Sequence, residues 1–577
     1  MKQSKISIYQ LLPRLFGNKN KDCRINGSIE ENGCGKFHDI TKEALTAIRD
    51  LGITHVWYTG ILEHGTITDY SGFGIPQDHP VLVKGKAGSP YAVKDYYDVD
   101  PDLAEDVNKR MSEFEALVER TRSMDLKTII DFVPNHVFRQ YQSDAKPAGV
   151  KDFGETDNTT KAFHPDNNFY YLPGKTFEIP EGLDWLNEIA DLIPKQSYKE
   201  KPAKATGNDK FEARPGRDDW YETVKLNYGV DYLNERKRYF DPVPDTWHKM
   251  LRILKFWADK GVDGFRCDMA EMVPVEFWNW AITKVKEEFS EVIFIAEIYN
   301  PLEYHNYVHK GGFDYLYDKV GLYDTLKHIL TENGSTSAIT SCWQILEGLD
   351  QHMLRFVENH DEVRLASAAF AGNPHAGIPA MTVSAALNTG PVLTYSGQEV
   401  GEPAAGKAGF SGDDGRTTIY DYFNMPAHQQ WMNEGKFDGG QLDENQRRLR
   451  QFYQKILNLS IRNDAVINGR FYDLMWANTW ESLPNRDKVY AWLRFTENQR
   501  LLFVVNFESQ HSSNVKIRIP EHAFGEMGWN DAEQFTYHEI LWNRCRDRIS
   551  KTEAAQSGVP VKLNPFDAVV IEVTKSS

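Results

Sequence analysis

One arrangement of hydrophobic and polar positions recurs along this chain: an amphipathic helix, a turn residue, then a short apolar strand that ends in polar side chains. Over Thr41–Leu51 the apolar residues Ala44, Leu45, Ile48 and Leu51 fall on one helical face, Gly52 stops the helix, and ITHVWYTG reads as a strand. Met111, Phe114, Leu117 and Val118 make the next stripe and lead into LKTIIDFVPNH. Met250, Leu251, Leu254 and Trp257 make a third, which ends at Gly261 before VDGFRCD. EVIFIAEIYN, the shorter FDYLYDK, HMLRFVENHD and GPVLTYSGQEV follow, and ISIYQLLPRLF stands in front. Eight candidate strands, mostly separated by helices and without Gly-rich phosphate turns, predict an α/β fold. The expected form is a parallel sheet closed into a (β/α)8 TIM barrel, with an open doubly wound sheet as the alternative.

Two stretches break the rhythm. Residues 138–227, after the third strand, are rich in Pro, Gly, Asn and Lys and show little periodicity. That is too long for an ordinary connection, so an inserted subdomain over the strand ends is expected. After the helical NQRRLRQFYQKILNLSI the period changes to two: KVYAWLRF, LLFVVNF, NVKIRIP and AVVIEV read as antiparallel strands. The predicted organisation is a barrel over 1–137 and 228–465, the insertion over 138–227, and a C-terminal antiparallel β-sandwich over 466–577.

Composition narrows the function classes. With 66 Lys and Arg against 83 Asp and Glu the net charge is −17, which argues against nucleic-acid or anionic-membrane binding. No apolar run approaches the ~20 residues of a membrane span. The opening MKQSKISIYQLLPRLF lacks a signal-peptide hydrophobic region, so a cytoplasmic location is expected, or a periplasmic or secreted one if the numbering starts at a processed end. Five cysteines, Cys23, Cys34, Cys267, Cys342 and Cys545, form no disulfide framework or paired zinc motif and read as small core residues.

Four predicted strands end in ionisable clusters: Asp131 with Asn135 and His136, Arg266 with Asp268, Glu297, and Glu358 with His360 and Asp361. In a barrel these are the C-terminal strand ends, where catalytic groups gather. Strand alternation puts Arg266 and Asp268 on one face and Cys267 on the other. An arginine beside a carboxylate favours its ionised form, and a second carboxyl on the next strand supplies a proton donor. Such a pair is the equipment of a retaining glycosidase. Each cluster alone also fits a structural ion pair or cap; four on four strand ends do not.

DFVPNH at 131–136, GFRCDMAEM at 264–272, FIAEIYN at 294–300 and FVENHD at 356–361 resemble the four ordered motifs of the α-amylase family, glycoside hydrolase family 13. SPYAVKDYYDVDP and YSGQEVGEP resemble its flanking segments, and the likeness covers nearly the whole chain. It implies Asp268 as nucleophile, Glu297 as general acid/base and Asp361 as the third carboxylate on sugar hydroxyls. It further implies that Arg266 orients Asp268, that Asp131 buttresses Arg266, that His136 and His360 hold the reacting sugar, and that Tyr91 stacks on its ring. Glu271 and Met272 stand where many α-amylases carry a Lys-His pair, and the family's fifth motif has only KLNYGVDY as a candidate.

The resemblance also implies a structural calcium ion, with Asn135 at a position that often ligates it. Independently, GNKNKD offers Asn18, Asn20 and Asp22 as alternating oxygen ligands, or simply a solvated loop. The expected activity is a retaining α-glucan hydrolase acting on α-1,4 bonds of starch, glycogen or maltooligosaccharides. The alternatives are an α-glucan transglycosylase, an α-1,6-glucosidase, a trehalose-forming isomerase, or a non-catalytic carbohydrate-binding relative. Phe169, Tyr170, Tyr171, Trp185, Trp220 and Tyr221 are expected either as stacking platforms in an open cleft or as a small local core.

Overall fold

The eight predicted strands are the eight strands of one parallel sheet. They are β1 Ser7–Leu11, β2 His55–Tyr58, β3 Lys127–Phe132, β4 Gly264–Cys267, β5 Ile293–Ala296, β6 Tyr315–Tyr317, β7 Met353–Leu354 and β8 Val392–Tyr395. They follow one another in spatial order, and β8 returns to β1 with Ser7 opposite Val392. Between β7 and β8 the ring is completed by a single parallel bridge: Arg355 N–H donates to Pro391 O and Leu393 N–H to Arg355 O. This computed structural model describes residues 5–346, 348–406, 412–529 and 533–575.

The helices follow from the stripes. Thr41 caps the first by accepting from the Ala44 N–H, and Ala44, Leu45 and Ile48 are buried beneath it. Helix Arg110–Arg122 buries Phe114, Leu117 and Val118. In helix Asp245–Asp259 the buried line runs through Met250, Ile253, Leu254 and Trp257, while Leu251 is only half-buried. Its core stripe is therefore rotated by one position from the expected one.

Beyond residue 466, six strands form an antiparallel sheet in the order Arg470–Asp473, Val489–Phe495, Arg500–Asn506, Asp567–Lys575, Gln534–Glu539, Arg546–Ser550. The pair Ser513–Ile517 with Val559–Leu563 adds to this all-β unit. Its junction with the barrel is polar and buried: Arg494 donates to the carbonyls of Leu387, Ala465, Val466 and Gly469, and the Trp492 indole to Ala386 O.

Between β3 and β4 the chain forms short antiparallel pairs. His136–Phe138 pairs with Thr223–Lys225, and Tyr171–Leu172 with Ala203–Lys204, around a small core of Phe138, Leu172, Phe177, Ala203 and Tyr221. A buried lysine fixes this segment to the barrel. Lys225 Nζ donates to Asn135 Oδ1 at 2.7 Å, pairs with Asp209 at 2.6 Å and faces the Tyr232 ring at 5.2 Å. Asn135 Nδ2 in turn donates to Gly207 O at 2.7 Å.

That arrangement does not suit the calcium expected at Asn135. An ammonium ion already occupies its amide oxygen, and a second cation there would be repelled. The loop Asn18–Asp22 does not complete such a site either. Asn18 Oδ1 accepts the Asn20 N–H, Asn20 Oδ1 accepts the Asp22 N–H, and the Asn18 amide donates to the carbonyls of Asn32 and Phe423. Asn18 and Asn20 tie the chain by turns, Asp22 is exposed, and among the described residues no contact joins them to Asn135.

Replacing Lys225 by Met should leave Asn135 and Asp209 without their cation. Because Asp209 is partly solvated, the expected loss is about 2 kcal/mol rather than that of a fully buried pair. Urea unfolding should show it, with faster limited proteolysis between residues 138 and 227. Unchanged stability and cleavage would show that Lys225 anchors nothing.

Candidate active site

The carboxyls and the arginine sit at or just beyond the C-terminal ends of barrel strands, and the pairing register explains which groups meet. Arg266 on β4 lies opposite Asp131 on β3 and Ile295 on β5, so its side chain points into the ring with Asp131. Two residues on, Asp268 shares that face; Glu297 emerges one position past β5. Arg266 Nη1 hydrogen-bonds Asp268 Oδ1 at 2.8 Å, and Nη2 forms an ion pair with Glu297 Oε2 at 2.8 Å. Asp131 lies 3.6 Å and Asp361 3.9 Å from the same guanidinium.

Three rings enclose the guanidinium: Trp57, Tyr91 and Tyr317 have their centroids 5.4, 5.4 and 5.5 Å from Arg266 Cζ. The Tyr317 hydroxyl also accepts from Arg266 Nε at 3.1 Å. Asp131 is held by the Trp57 indole N–H, the Gly60 N–H and the Tyr91 hydroxyl. The Tyr91 loop is seated by Gly88. At φ +81° it takes a left-handed turn, and a Cβ there would lie 1.7 Å from Gly65 O.

His360 stacks against Tyr91, its Nε2 lies 3.1 Å from Asp361, and its Nδ1 meets the Gln10 side chain at 2.7 Å. Glu297 is gripped at both oxygens: Tyr299 O–H donates to Oε1 at 2.6 Å and the Met269 N–H to Oε2 at 2.7 Å. Met269 reaches it from a left-handed backbone conformation, φ 43°. Such a conformation costs a non-glycine residue roughly 1–2 kcal/mol and collects at functional sites.

Four carboxyls around one arginine cannot all be comfortable as anions. Burial pushes Asp268 and Glu297 above the ordinary carboxylate range, Arg266 pulls both down, and Asp268 adds a further upward push on Glu297. Burial raises Asp131 to about 7 against the pull of Arg266. Asp361 is also raised, by burial and then by Glu297, although its side chain remains 39% exposed to the cavity. Burial lowers His136 to about 4 and His360 well below its usual value, so both rings are neutral near pH 7.

Asp268, Glu297, Asp361, Tyr91 and His136 line a cavity of about 220 Å³ with Lys84, Glu222, Trp220, Tyr299 and Tyr420, and Arg266, Asp131 and His360 stand behind them. Lys84 and Glu222 form a buried ion pair at 2.8 Å on its wall. The Trp220 ring lies against His136 with centroids 5.2 Å apart.

Asp268, Glu297, Asp361, Tyr91, His136, Arg266 and His360 are therefore brought together; Asn135 lies behind the cavity, its amide 3.1 Å from His136 Nδ1, and Asn18, Asn20 and Asp22 lie elsewhere. Glu358 turns away into a buried pair with Arg364 at 2.9 Å. Of the aromatic residues between 138 and 227, Trp220 faces the cavity; Phe169, Tyr170, Tyr171 and Tyr221 are core. Gln10, Trp57 and Tyr317 carry no motif of their own and escape sequence reading, and Tyr299 lies within FIAEIYN, whose resemblance assigns it no role. The signal for Tyr299 was its position two residues after Glu297, on the same face.

Family models agree with this geometry. The α-amylase catalytic domain matches residues 10–418, and the α-amylase C-terminal all-β domain matches residues 480–574. Among curated relatives, α-amylase 2 of Dictyoglomus thermophilum is 21% identical over 512 residues, covering 87% of this chain and 69% of its own length. An α-1,4-glucan:maltose-1-phosphate maltosyltransferase of Cereibacter sphaeroides is 25% identical over 396 residues, covering 66% of this chain and 52% of its own length. A maltogenic α-amylase from Thermotoga neapolitana shares the fold along both whole chains, 100% of each, with TM-score 0.61 and 17% identity. An α-amylase from Geobacillus thermoleovorans does so over 99% of each chain, with TM-score 0.62 and 17% identity. Among the described residues no helix is long and apolar enough to cross a membrane. With its catalytic and C-terminal domains both matched, and the four carboxyls gathered on one arginine at the mouth of an eight-stranded parallel barrel, this chain belongs to the α-amylase family.

Proposed function

We propose that the protein is a retaining α-glucan hydrolase that cleaves α-1,4-glucosidic bonds of starch, glycogen or maltooligosaccharides through a covalent glycosyl-enzyme intermediate. One observation carries this reading: adjacent nitrogens of the Arg266 guanidinium hold Asp268 and Glu297 side by side. Carboxyls bridged by one guanidinium suit the ~5–5.5 Å spacing of a retaining pair better than the ~6.5–9.5 Å of an inverting pair.

In this mechanism Asp268 attacks the anomeric carbon while Glu297 gives its proton to the leaving oxygen. Glu297 then takes a proton from the water that hydrolyses the intermediate. The upward push on Glu297 keeps the donor protonated, and Arg266 stabilises the Asp268 anion. Asp361, braced by His360, accepts sugar hydroxyls as the ring distorts, and Tyr91 and His136 wall the reacting sugar. The cavity has room for one ring, so neighbouring glucose units extend beyond it past Trp220 and Tyr420.

The maltosyltransferase among the relatives makes glycosyl transfer to a second sugar the alternative reading, since water and a sugar hydroxyl attack the same intermediate. Incubation with maltoheptaose followed over time separates them: maltose and maltotriose support hydrolysis within the chain, and products longer than the substrate support transfer. Action confined to isomaltose would exclude both.

Replacing Asp268 by Asn should lower turnover by ~10³-fold or more, about 4 kcal/mol of transition-state stabilisation. Glu297→Gln should cost ~10²–10⁴-fold on natural glucans yet spare a substrate whose leaving group needs no proton. A vigorous Asp268→Asn enzyme would refute the nucleophile assignment, as would β-anomeric product at the earliest times by NMR.

The pH profile provides a separate check. The working state carries one proton on the coupled Asp268–Glu297 pair. Activity should fall as pH drops through the lower macroscopic pKa, where Asp268 is protonated. It should fall again as pH rises through the upper one, where Glu297 is ionised. Both limbs of kcat/KM should lie above the ordinary carboxylate values, 3.8 for Asp and 4.5 for Glu. In Glu297→Gln, assayed with an activated substrate, the alkaline limb should vanish. Its persistence would assign that limb to another group.

A further inference from the structure

Behind the catalytic cavity, the inserted segment reaches a barrel histidine through one side-chain amide. Asn135, just past the end of β3, meets Lys225 at one end of that amide and Gly207 and His136 at the other. Its Oδ1 accepts from Lys225 Nζ at 2.7 Å. Its Nδ2 lies 2.7 Å from Gly207 O and 3.1 Å from His136 Nδ1. All three side chains are buried, and both Lys225 and Gly207 belong to the segment between β3 and β4.

The two ends of an amide are told apart by their partners, and here the partners allow one orientation. An ammonium has N–H groups and no lone pair, so it can face only Oδ1. A peptide carbonyl can only accept, so it can face only Nδ2. Turning the amide over would set N–H against the ammonium and oxygen against the carbonyl, two repulsions in place of two hydrogen bonds. Gly207 approaches this closely because it has no side chain: a Cβ there would lie 2.9 Å from His136 Cβ and 2.5 Å from Thr223 Oγ1. Nδ2 has a second hydrogen, and His136 Nδ1 is its other neighbour. The ring is neutral, because burial lowers its pKa to about 4 against the upward pull of Glu222, with Lys225 adding to the lowering. A neutral imidazole has one N–H and one bare nitrogen, so a donor facing Nδ1 places the proton on Nε2. Nδ1 is turned away to Asn135, and the ring lines the cavity.

We propose that Asn135 is a positioning residue: gripped by Lys225 and Gly207, it fixes His136 with the proton on Nε2, so that the ring offers a bound sugar a hydrogen-bond donor rather than a bare nitrogen. The consequence for sugar binding rests on the function proposed above; the tautomer does not. A hydroxyl that accepts from Nε2 keeps its own hydrogen to donate to a carboxylate, of which the cavity has several. The inserted segment thus does more than wall the cavity. Through one amide it decides which nitrogen of a barrel side chain carries the proton.

The test is NMR of the full chain, isotopically labelled at its histidine nitrogens and without substrate. Bare and protonated imidazole nitrogens resonate far apart, and the signals lost in His136→Gln identify those of His136. Wild type near neutral pH should show a bare Nδ1 and a protonated Nε2. Asn135→Asp keeps an oxygen for Lys225 but turns an acceptor towards His136, so the proton should move to Nδ1. Its KM for maltoheptaose should rise ~tenfold or more, with a smaller fall in kcat, because a sugar oxygen loses its donor. A merely structural role for Asn135 would move the Tm and leave the proton where it is. A proton on Nδ1 in wild type would overturn the proposal, and that result needs no variant to fold. So would an Asn135→Asp protein whose Nδ1 stays bare, or one whose proton has moved while KM is unchanged. Failure of wild type to act on maltoheptaose would count against the function proposed above and leave the tautomer result standing.

Discussion

Everything at the mouth of the barrel depends on one buried cation. Arg266 is 1% exposed, and desolvating a guanidinium is affordable only if anions and hydrogen-bond acceptors surround it. Asp131, Asp268 and Glu297 do so directly, with Asp361 at the edge, and three aromatic faces fill the space that water would otherwise occupy. The requirement runs both ways. Without the guanidinium the carboxyls would repel one another and take up protons; without the carboxyls the arginine would have no reason to be inside. The arrangement that makes the fold tolerable also prepares a donor and an anion side by side.

Strand geometry turns this constraint into a site. Residues at parallel register share a layer, and every second residue faces inward, so β3 and β4 deliver Asp131 and Arg266 to one layer and Asp268 to the next. The loop after β2 returns as the strand pair around Leu62–His64 and brings Tyr91 over the top. Gln10 at the end of β1 reaches across to His360, linking the first strand to the segment after the seventh. Nearly every strand thus contributes a contact, and displacement of one strand by a single residue would turn its contribution into the helix layer.

How much of this can be read from sequence follows from the range of each interaction. All eight barrel strands were legible, because each is a short apolar run between helix stripes, and the clustered ionisable residues at four of them were visible as coincidences. Gln10, Trp57 and Tyr317 were not, since a lone residue on an apolar strand gives no sign that it meets a partner hundreds of positions away. The left-handed turn at Met269 was also hidden; a methionine gives no hint of positive φ. In the C-terminal unit the strands with strong alternation were read correctly. RFYD, QFTYHE, RDRIS and VPVKL carry no such signal, because polar residues, a proline or short length dilute the period of two. Among the cysteines, Cys267 and Cys342 are buried as expected, but Cys545 is exposed; a residue type with a burial preference is still placed by its neighbours.

Lys225 shows most clearly where a resemblance stops being informative. The asparagine it meets matches the family motif, and the motif alone implies an oxygen waiting for a metal. The lysine that fills the position comes 90 residues later, in KLNYGVDY, where a cationic residue on a short strand has no periodic signature. Physically the two solutions are close. A cation between Asn135 Oδ1 and an aspartate neutralises buried oxygens and joins the inserted segment to the barrel, whether the charge arrives on an ion or on a side chain. A covalently attached ammonium cannot be lost to dilution or chelation, but it brings one charge rather than two and needs the Tyr232 face to complete its surroundings. Fixing the inserted segment from within the chain places the wall formed by Trp220, Glu222 and Thr223 over the reacting carboxyls, because Thr223–Lys225 is the strand that pairs with His136–Phe138. The same three-residue strand thus holds the insertion down at Lys225 and presents the cavity wall at its other end.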